Sequence, residues 1–230
     1  MKILALESSA KAASVAYLKD GELIAQYYQA GGLTHSKTLL SMTEDMLRSL
    51  DLKVSDMDGI SVAKGPGSFT GIRIGVAAAK GLAWGADKPV CGVSTLEAMA
   101  HHCCDDRYVI CPVMDARRNE VYNGLFRYEN GSIVRLTEDR AISLKELSEE
   151  AKNSEKTFFL VGDGAMLCYN YFTNEGIDAV LAPANVRLQS AWGVGKAAEN
   201  GSFVPSDEIV PNYLRLSQAE RERLEKEKQA

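Results

Sequence analysis

The order of strand and helix patterns repeats once along this chain, and this repeat constrains the fold more than any other feature. In the first half, the patterns predict strands at 3–8, 14–18 and 22–29, a helix at 34–50, a strand near Ile60, a helix at 71–86, a strand at 89–93 and a helix from Ser94. In the second half, they predict strands at 109–114, 120–128 and 132–138, a helix at 143–152, a strand at 157–161, a helix at 165–172, a strand at 178–181 and a helix at 187–199. We therefore predict an α/β fold with two duplicated β-β-β-α-β-α-β-α lobes and a cleft between them.

The repeat also divides the sequence. It predicts an N-terminal lobe at 1–104, a C-terminal lobe at 105–203 and a final segment at 204–230. The final segment begins with a proline-bounded stretch that is expected to cross the surface. It ends in a charged tail from Ala219 that is typical of a solvated chain end.

Composition limits the possible functions. The chain has 230 residues, is 46% hydrophobic and carries a net charge of −5, which argues against tight, independent binding of nucleic acid. Residues 1–7 predict a strand and not a signal peptide. Five cysteines without Cys-x-x-Cys spacing indicate reduced thiols in a cytoplasmic protein. We expect no membrane contact, because the most apolar helix is too short and too rich in glycine.

The predicted helix at 71–86 contains four glycines, at positions 71, 75, 81 and 85. Each costs about 1 kcal/mol relative to alanine in a helix interior, so close approach of another element is expected in compensation. Helical projection gives two smooth stripes; one comprises Gly71, Gly75, Ala78 and Leu82, and the other comprises Ile72, Val76, Ala79 and Ala83. One stripe can cover the chain's own sheet and the other a partner. The alternative, a helix buried on both sides within one chain, stays open.

Two segments suggest ligand sites on first inspection. The loop from Gly65 to Gly71 has neither Walker nor dinucleotide-binding spacing, so a structural turn is favoured over a phosphate site. The run from His101 to Asp106 offers metal-binding residue types. However, adjacent helical residues point about 100° apart, so a helix end with a buried thiol is favoured and no metal site is predicted.

The duplicated lobe resembles the superfamily of actin, sugar kinases and heat-shock-chaperone ATPases. That resemblance implies acidic residues at the first hairpin of each lobe, here Glu7 and Asp115. Neither hairpin has the glycines that wrap a phosphate, and Gly162-Asp163-Gly164 is a thin match to the adenosine-binding glycines. We therefore expect a degenerate nucleotide site with no catalytic residue and no cofactor. The alternative is a small-molecule kinase or ATPase that uses the interlobe cleft.

A narrower resemblance rests on motifs that occur in order along nearly the whole chain. They are Ile-Leu-Ala-Leu-Glu-Ser-Ser at 3–9, His-Ser-x-x-Leu-Leu at 35–40, Gly-Pro-Gly-Ser-Phe-Thr-Gly-Ile-Arg at 65–73, Pro-x-x-Asp-Ala-Arg-Arg at 112–118, Glu-Val-Tyr at 120–122 and Pro-Asn-Tyr-Leu-Arg at 211–215. Together they resemble the TsaB (YeaZ) family, the dimerisation subunits of the bacterial complex that makes threonylcarbamoyladenosine in tRNA. Glu7 departs from the family, which often has Asp there.

The resemblance implies a noncatalytic scaffold. Its partners would be a homologous catalytic subunit of the TsaD type and an ATPase subunit of the TsaE type, with homodimers forming when the partner is absent and tRNA reached through the complex. The catalytic subunit has a His-x-x-x-His metal pair, whereas this chain has His35 with Leu39. We also expect the arginines at 117 and 118 to pair with acids such as Glu120. The predicted partner interface comprises His35, Leu39, Met42, Met46, Ile72, Gly75, Val76, Ala79 and Ala83, although a packing or capping role for His35 is the favoured alternative.

Overall fold

The first half of the chain forms a five-stranded sheet with helices on both faces. The structure, a computed structural model, describes residues 1–215, so the tail predicted from Ala219 lies outside the described residues. The elements are β1 (Lys2–Glu7), β2 (Ala13–Lys19), β3 (Glu22–Gln29), α1 (His35–Ser49), β4 (Gly59–Gly65), α2 (Phe69–Ala86), β5 (Val90–Ser94) and α3 (Thr95–Ala100). The strand order is β3-β2-β1-β4-β5, with β2 antiparallel to β1 and β4 parallel to it.

The second half repeats this plan around a seven-stranded sheet. Its elements are β6 (Val109–Asp115), β7 (Glu120–Asn123), β8 (Phe126–Glu129), β9 (Ser132–Arg135), β10 (Arg140–Ser143), α4 (Leu144–Lys152), β11 (Phe158–Val161), α5 (Ala165–Asn174), β12 (Ala179–Leu181) and α6 (Ala191–Ala198). The central order is β10-β7-β6-β11-β12. The predicted α/β fold of duplicated lobes is confirmed.

Two details of the second lobe differ from the prediction. The strand predicted at 120–128 is broken at Gly124 and Leu125, where the Leu125 N–H donates to Thr137 Oγ1 at 2.9 Å and not to a strand. An additional strand, β10, pairs antiparallel with β7 and extends the sheet. A four-residue strand flanked by polar residues has too short a period-2 pattern to be detected from sequence.

Matching turns join the outer hairpins of the two lobes. Asp20 and Gly21 connect β2 to β3 with φ values of 52° and 84°, and Asn130 and Gly131 connect β8 to β9 with φ values of 51° and 83°. Two central residues with positive φ are typical of the tight turn that matches strand twist, which explains the Asp-Gly and Asn-Gly pairs.

Packing crosses the boundary between the two sequence halves. Leu96 and Met99 of α3 belong to a buried cluster with Ile110 of the second sheet. In return, α6 packs on the first sheet, where a Cβ added at Gly195 would lie 2.3 Å from Leu18 Cδ1. The division at 104/105 therefore describes the order of the sequence, while the helices α3 and α6 join the two lobes.

The segment after α6 runs back over the first lobe to the second. Val204 exchanges backbone hydrogen bonds with Val90, and Lys80 Nζ donates to the carbonyl of Ile209 at 3.1 Å. Further on, the Tyr213 ring stacks on Phe69 with centroids 4.1 Å apart. None of the helices within residues 1–215 is both long and apolar enough to cross a membrane.

Candidate functional site: the interlobe cleft and the outer face of α2

A cleft of about 550 Å³ lies where the two lobes meet. It is bounded by the turn after β1, the N-terminus of α2 and the turn after β6. Its lining includes Ser9, Lys11, Ser68, Thr70, Asp115, Arg117 and Asp163. Because these turns correspond to each other in the duplicated fold, the cleft contains the positions from which a two-lobed enzyme of this fold would act.

Glu7, at the end of β1, is completely buried below this cleft. Its Oε1 accepts a hydrogen bond from the Ser9 N–H at 2.5 Å, and its Oε2 has no partner among the described residues. Burial raises the pKa of Glu7 to about 7, and the nearby charge of Asp163 adds to this rise. Burial also raises the pKa of Asp163. Burial therefore favours the protonated, neutral form of Glu7 in the folded chain.

Asp115 holds the matching position in the second lobe but is exposed. Its Oδ1 accepts a hydrogen bond from the Arg117 N–H at 2.7 Å, within its own turn. The enzyme alternative requires Glu7 and Asp115 to face each other across the cleft. In the structure, the buried Glu7 carboxylate instead lies near Asp163, and Ser9 stands between it and the cleft.

The turn after β1 rests directly on the start of α2. Ser9 O accepts from the Ser68 N–H at 2.7 Å, and Ser8 Oγ donates to Gly71 O at 2.9 Å. A Cβ added at Gly71 would lie only 2.1 Å from Ser8 O. The backbone of the turn after β1 therefore lies directly against the first turn of α2, and only glycine at position 71 permits this contact.

The second lobe repeats this close contact. A Cβ added at Gly162 would lie 2.1 Å from Val113 O, and one added at Gly164 would lie 2.9 Å from Asp115 N. The resemblance implied adenosine-binding glycines at these positions. In the structure they instead allow the loop after β11 to pack on the end of β6.

The described residues, 1–215, contain no group of three or more His, Cys, Asp or Glu side chains that could hold a metal ion. In the run from His101 to Asp106, His102 Nδ1 lies 2.7 Å from Val186 O and its Nε2 lies 3.0 Å from Ser190 Oγ. Burial lowers the pKa of both His101 and His102 to about 4. Helix α3 ends at Ala100, and the Cys103 thiol is buried, as in the favoured sequence interpretation.

Most side chains of the predicted partner interface are covered by the chain itself. Seven of the nine are buried, and the six of these that have a side chain are at most 4% exposed. They are Leu39, Met46, Ile72, Gly75, Val76, Ala79 and Ala83. Their cover is the first sheet and the turn after β1, on which the buried side of α2 packs. The assignment of these seven to a partner surface is corrected accordingly. The stripe of Ile72, Val76, Ala79 and Ala83 covers the chain's own sheet, whereas Ala78 and Leu82 of the other stripe are half-buried.

The other two predicted interface residues lie at the edge of α1. His35 is half-buried, and its Nε2 lies 2.7 Å from Ala10 O, which ties the start of α1 to the turn after β1. Met42 is half-buried and packs against the main cluster of the first lobe. Leu40, which the prediction omitted, is 50% exposed.

The exposed side of α2, here called the outer face, comprises Ala77, Gly81, Trp84 and Gly85. Trp84 is 83% exposed, the highest value of any large apolar side chain among residues 1–215. A Cβ added at Gly81 or Gly85 would meet no atom within 4 Å. Sequence reasoning missed Trp84, although its spacing of seven from Ala77 and three from Gly81 places all three on one side of the helix.

Together, the duplicated lobes, the shared cleft and the crossed helices define the two-lobed α/β class of actin, sugar kinases and chaperone ATPases. The family model described as TsaD, tRNA N6-adenosine threonylcarbamoyltransferase, matches residues 29–221. In solved structures, the chain is similar to YeaZ from Pseudomonas aeruginosa, with a TM-score of 0.79 at 27% identity, covering 93% of this chain and 99% of that one.

Curated relatives named tRNA threonylcarbamoyladenosine biosynthesis protein TsaB match nearly the whole chain. The protein from Bacillus subtilis (strain 168) is 33% identical over 99% of this chain and 100% of its own length. The one from Haemophilus influenzae (strain ATCC 51907 / DSM 11121 / KW20 / Rd) is 40% identical over 94% of each. The chain belongs to the TsaB family of tRNA threonylcarbamoyladenosine biosynthesis proteins.

Proposed function

We propose that this chain is a noncatalytic scaffold that a TsaD-type catalytic subunit and a TsaE-type ATPase require to threonylcarbamoylate the adenosine beside the tRNA anticodon. It works in the cytoplasm and reaches tRNA through that complex. The observation that carries the proposal is the outer face of α2, where exposed Trp84 lies between two glycines that have no neighbour within the described chain.

Gly81 and Gly85 each cost the helix about 1 kcal/mol relative to alanine. Gly71 offsets such a cost by its contact with Ser8 O, whereas nothing in the described chain approaches Gly81 or Gly85. A partner helix that crosses closely at these positions would supply the missing contact and cover Trp84. A second copy of the chain can use the same face, which supports self-association when the catalytic subunit is absent.

The family model of the transferase itself covers residues 29–221, which supports a homologous catalytic subunit as the partner. Two related folds that meet through equivalent helices would form a pseudo-symmetric pair, in which a self-complementary surface also serves for heterodimerisation. The exposed Leu40 of α1 and the outer face of α2 would lie in this contact.

The geometry of the cleft supports the noncatalytic part of the proposal. Productive nucleotide binding in a two-lobed enzyme of this class needs space for phosphates between the two hairpin turns. Contacts of Ser8 and Ser9 with α2 fix the turn after β1, and Glu7 is buried, so the acid of the first hairpin does not reach the cleft. The kinase or ATPase alternative would require this turn to move until Glu7 faces Asp115.

Reconstitution of tRNA modification tests the function directly. The catalytic subunit, the ATPase, threonylcarbamoyl-adenylate and tRNA are combined with and without this chain, and the modified nucleoside is quantified. We expect modification only when the chain is present. Equal modification in both reactions would contradict the scaffold function, and ATP turnover by the isolated chain would favour the enzyme alternative.

The placement of the interface is tested separately with Trp84→Ala. Loss of this exposed ring should weaken binding to the catalytic subunit at least tenfold, because aromatic anchors dominate interface energies. The matched control is Met166→Ala, which removes a 44% exposed apolar side chain from α5 in the other lobe. Both variants should unfold at the wild-type temperature. Equal partner affinity for the two would show that the interface lies elsewhere.

A further inference from the structure

Two neighbouring arginines, Arg117 at the cleft and Arg118 next to it in the same turn, differ from all other arginines in the described chain. The guanidinium groups of Arg117 and Arg118 have no ion pair, hydrogen bond or aromatic neighbour within residues 1–215. Every other arginine of that range has such a contact, namely Arg48, Arg73, Arg107, Arg127, Arg135, Arg140, Arg187 and Arg215. The expected pairing with Glu120 is wrong, because the Arg215 guanidinium holds that carboxylate.

The backbone that carries these arginines is strained. Arg117, Arg118 and Asn119 have φ values of 65°, 57° and 61°, so three successive residues with side chains adopt the left-handed conformation. Such a run is unfavourable for L-residues and persists only where its surroundings hold it. Here the Arg117 N–H donates to Asp115 Oδ1 at 2.7 Å, and Asn119 O accepts from the Leu144 N–H at 3.0 Å.

A third cation comes from the opposite lobe. Lys11, in the turn after β1, is exposed, lines the same cleft as Arg117 and has no ion pair among the described residues. The cleft is also lined by two acids, the exposed Asp115 and the half-buried Asp163. These acids disfavour a free nucleotide in the cleft, so the cations are better placed for an anion that approaches the exposed turns from outside.

We propose that Arg117, Arg118 and Lys11 form a contact site for the phosphate backbone of the tRNA, used when the chain is part of the modifying complex; this inference rests on the proposed function. Guanidinium groups bind phosphate through paired hydrogen bonds, and a polynucleotide presents successive phosphates to neighbouring cations. An acidic protein surface fits less well, because protein interfaces have apolar centres and this turn is polar apart from Ala116.

The site is small, which agrees with a chain of net charge −5 that binds RNA weakly by itself. Each phosphate contact contributes about one unit to the slope of log affinity against log salt concentration. The contact would therefore orient a tRNA that other subunits also hold.

The test uses the complete complex and an unmodified tRNA transcript. We expect R117Q/R118Q to lower the tRNA affinity about tenfold near 100 mM salt and to reduce the salt slope by about one to two. The control is R107Q/R127Q, which removes the same charge from two exposed arginines that are paired with Asp105 and Glu129. This control should leave both quantities unchanged.

Assembly of the complex is measured in parallel by size-exclusion chromatography. Normal assembly with weakened tRNA binding supports the site. Equal tRNA affinity and salt slope for the two double variants would overturn the proposed site. Failure of R117Q/R118Q to assemble into the complex would also overturn it, because that result would indicate a protein contact. Either result leaves the reconstitution with wild-type chain intact, so this inference and the scaffold function fail separately.

Discussion

Helices α2 and α5 occupy equivalent positions in the two lobes but differ in what they expose. Each follows a glycine-containing loop that packs at the end of the first strand of its lobe, where a Cβ added at Gly67 would lie 2.4 Å from Ser9 O and one added at Gly164 would lie 2.9 Å from Asp115 N. Helix α2 has 18 residues and an outer face with two unsupported glycines and Trp84. Helix α5 has 10 residues and no glycine. The duplicated fold therefore keeps the contacts that both lobes need, while the outer face of only one lobe has the features of a helix-crossing surface.

The acids at the first hairpins differ in the same way. Glu7 is buried in one lobe, whereas Asp115 is exposed in the other and organises the strained turn of Arg117 and Arg118. One hairpin is packed against α2, and the other presents unpaired cations to solvent. The first lobe thus provides the proposed partner-binding helix, and the second provides the larger share of the proposed RNA-contacting turn.

Arginine substitution at two adjacent residues of α2 should give the largest effect, a difference in the free energy of unfolding between its covered face and its outer face. Val76→Arg places a charge in the core of the first lobe, where the side chain is 4% exposed, and should destabilise the fold by about 4 kcal/mol or more. Ala77→Arg changes an exposed position and should alter stability by less than about 0.5 kcal/mol. Urea unfolding measures both effects.

The same pair then tests the interface. Ala77→Arg should remain folded and fail to bind the catalytic subunit, because a cation would be buried at a close helix crossing. A stable Val76→Arg protein would contradict the observed packing of α2. Full partner binding by Ala77→Arg would remove the outer face from the interface.

The buried acid gives the next largest effect, and it depends on pH. The pKa of Glu7 is about 7 in the folded chain and 4.5 as an ordinary glutamate, so between these values the folded state holds a proton that the unfolded state releases. Wild-type stability therefore falls as pH rises through this window. Glu7→Gln cannot ionise and should gain about 3 kcal/mol relative to wild type between pH 4.5 and pH 8.

Urea unfolding of both proteins across this range measures the difference. Ionisation of His101 and His102, whose pKa values burial lowers to about 4, affects both proteins equally and cancels. A constant difference between the two stability curves would mean that the folded state does not retain the proton on Glu7.

The smallest expected effect has opposite signs for folding and for association. Gly81→Ala should stabilise the free chain by about 1 kcal/mol, because its Cβ meets no atom within 4 Å and alanine favours the helix. The same methyl group should weaken partner binding by obstructing a close crossing. Thermal unfolding measures the change in stability, and a binding assay measures the change in affinity for the catalytic subunit. An increase in both stability and affinity would indicate that no partner helix packs closely at Gly81.

Much of the fold was predictable from local sequence patterns. The period-2 and period-3.6 patterns located the elements of the first lobe. The Asp-Gly and Asn-Gly pairs located the hairpin turn between β2 and β3 and the one between β8 and β9. The motifs at 65–73 and 211–215 indicated the TsaB family before any contact was known. Short β10 and the break at Gly124 were missed, because hydrogen bonds to distant residues decide them.

The functional surfaces depended on tertiary structure. The sequence by itself determined the duplicated α/β architecture, the family and the presence of two smooth stripes on α2, since these follow from residue order and helical geometry. Only the tertiary structure decided that the stripe of Ile72, Val76, Ala79 and Ala83 faces inward, that Trp84 is exposed and that Arg215 leaves Arg117 and Arg118 unpaired. The physical reason is that burial and ion pairing depend on which distant segments occupy a given face, and residues separated by about 100 positions meet only when the chain has folded.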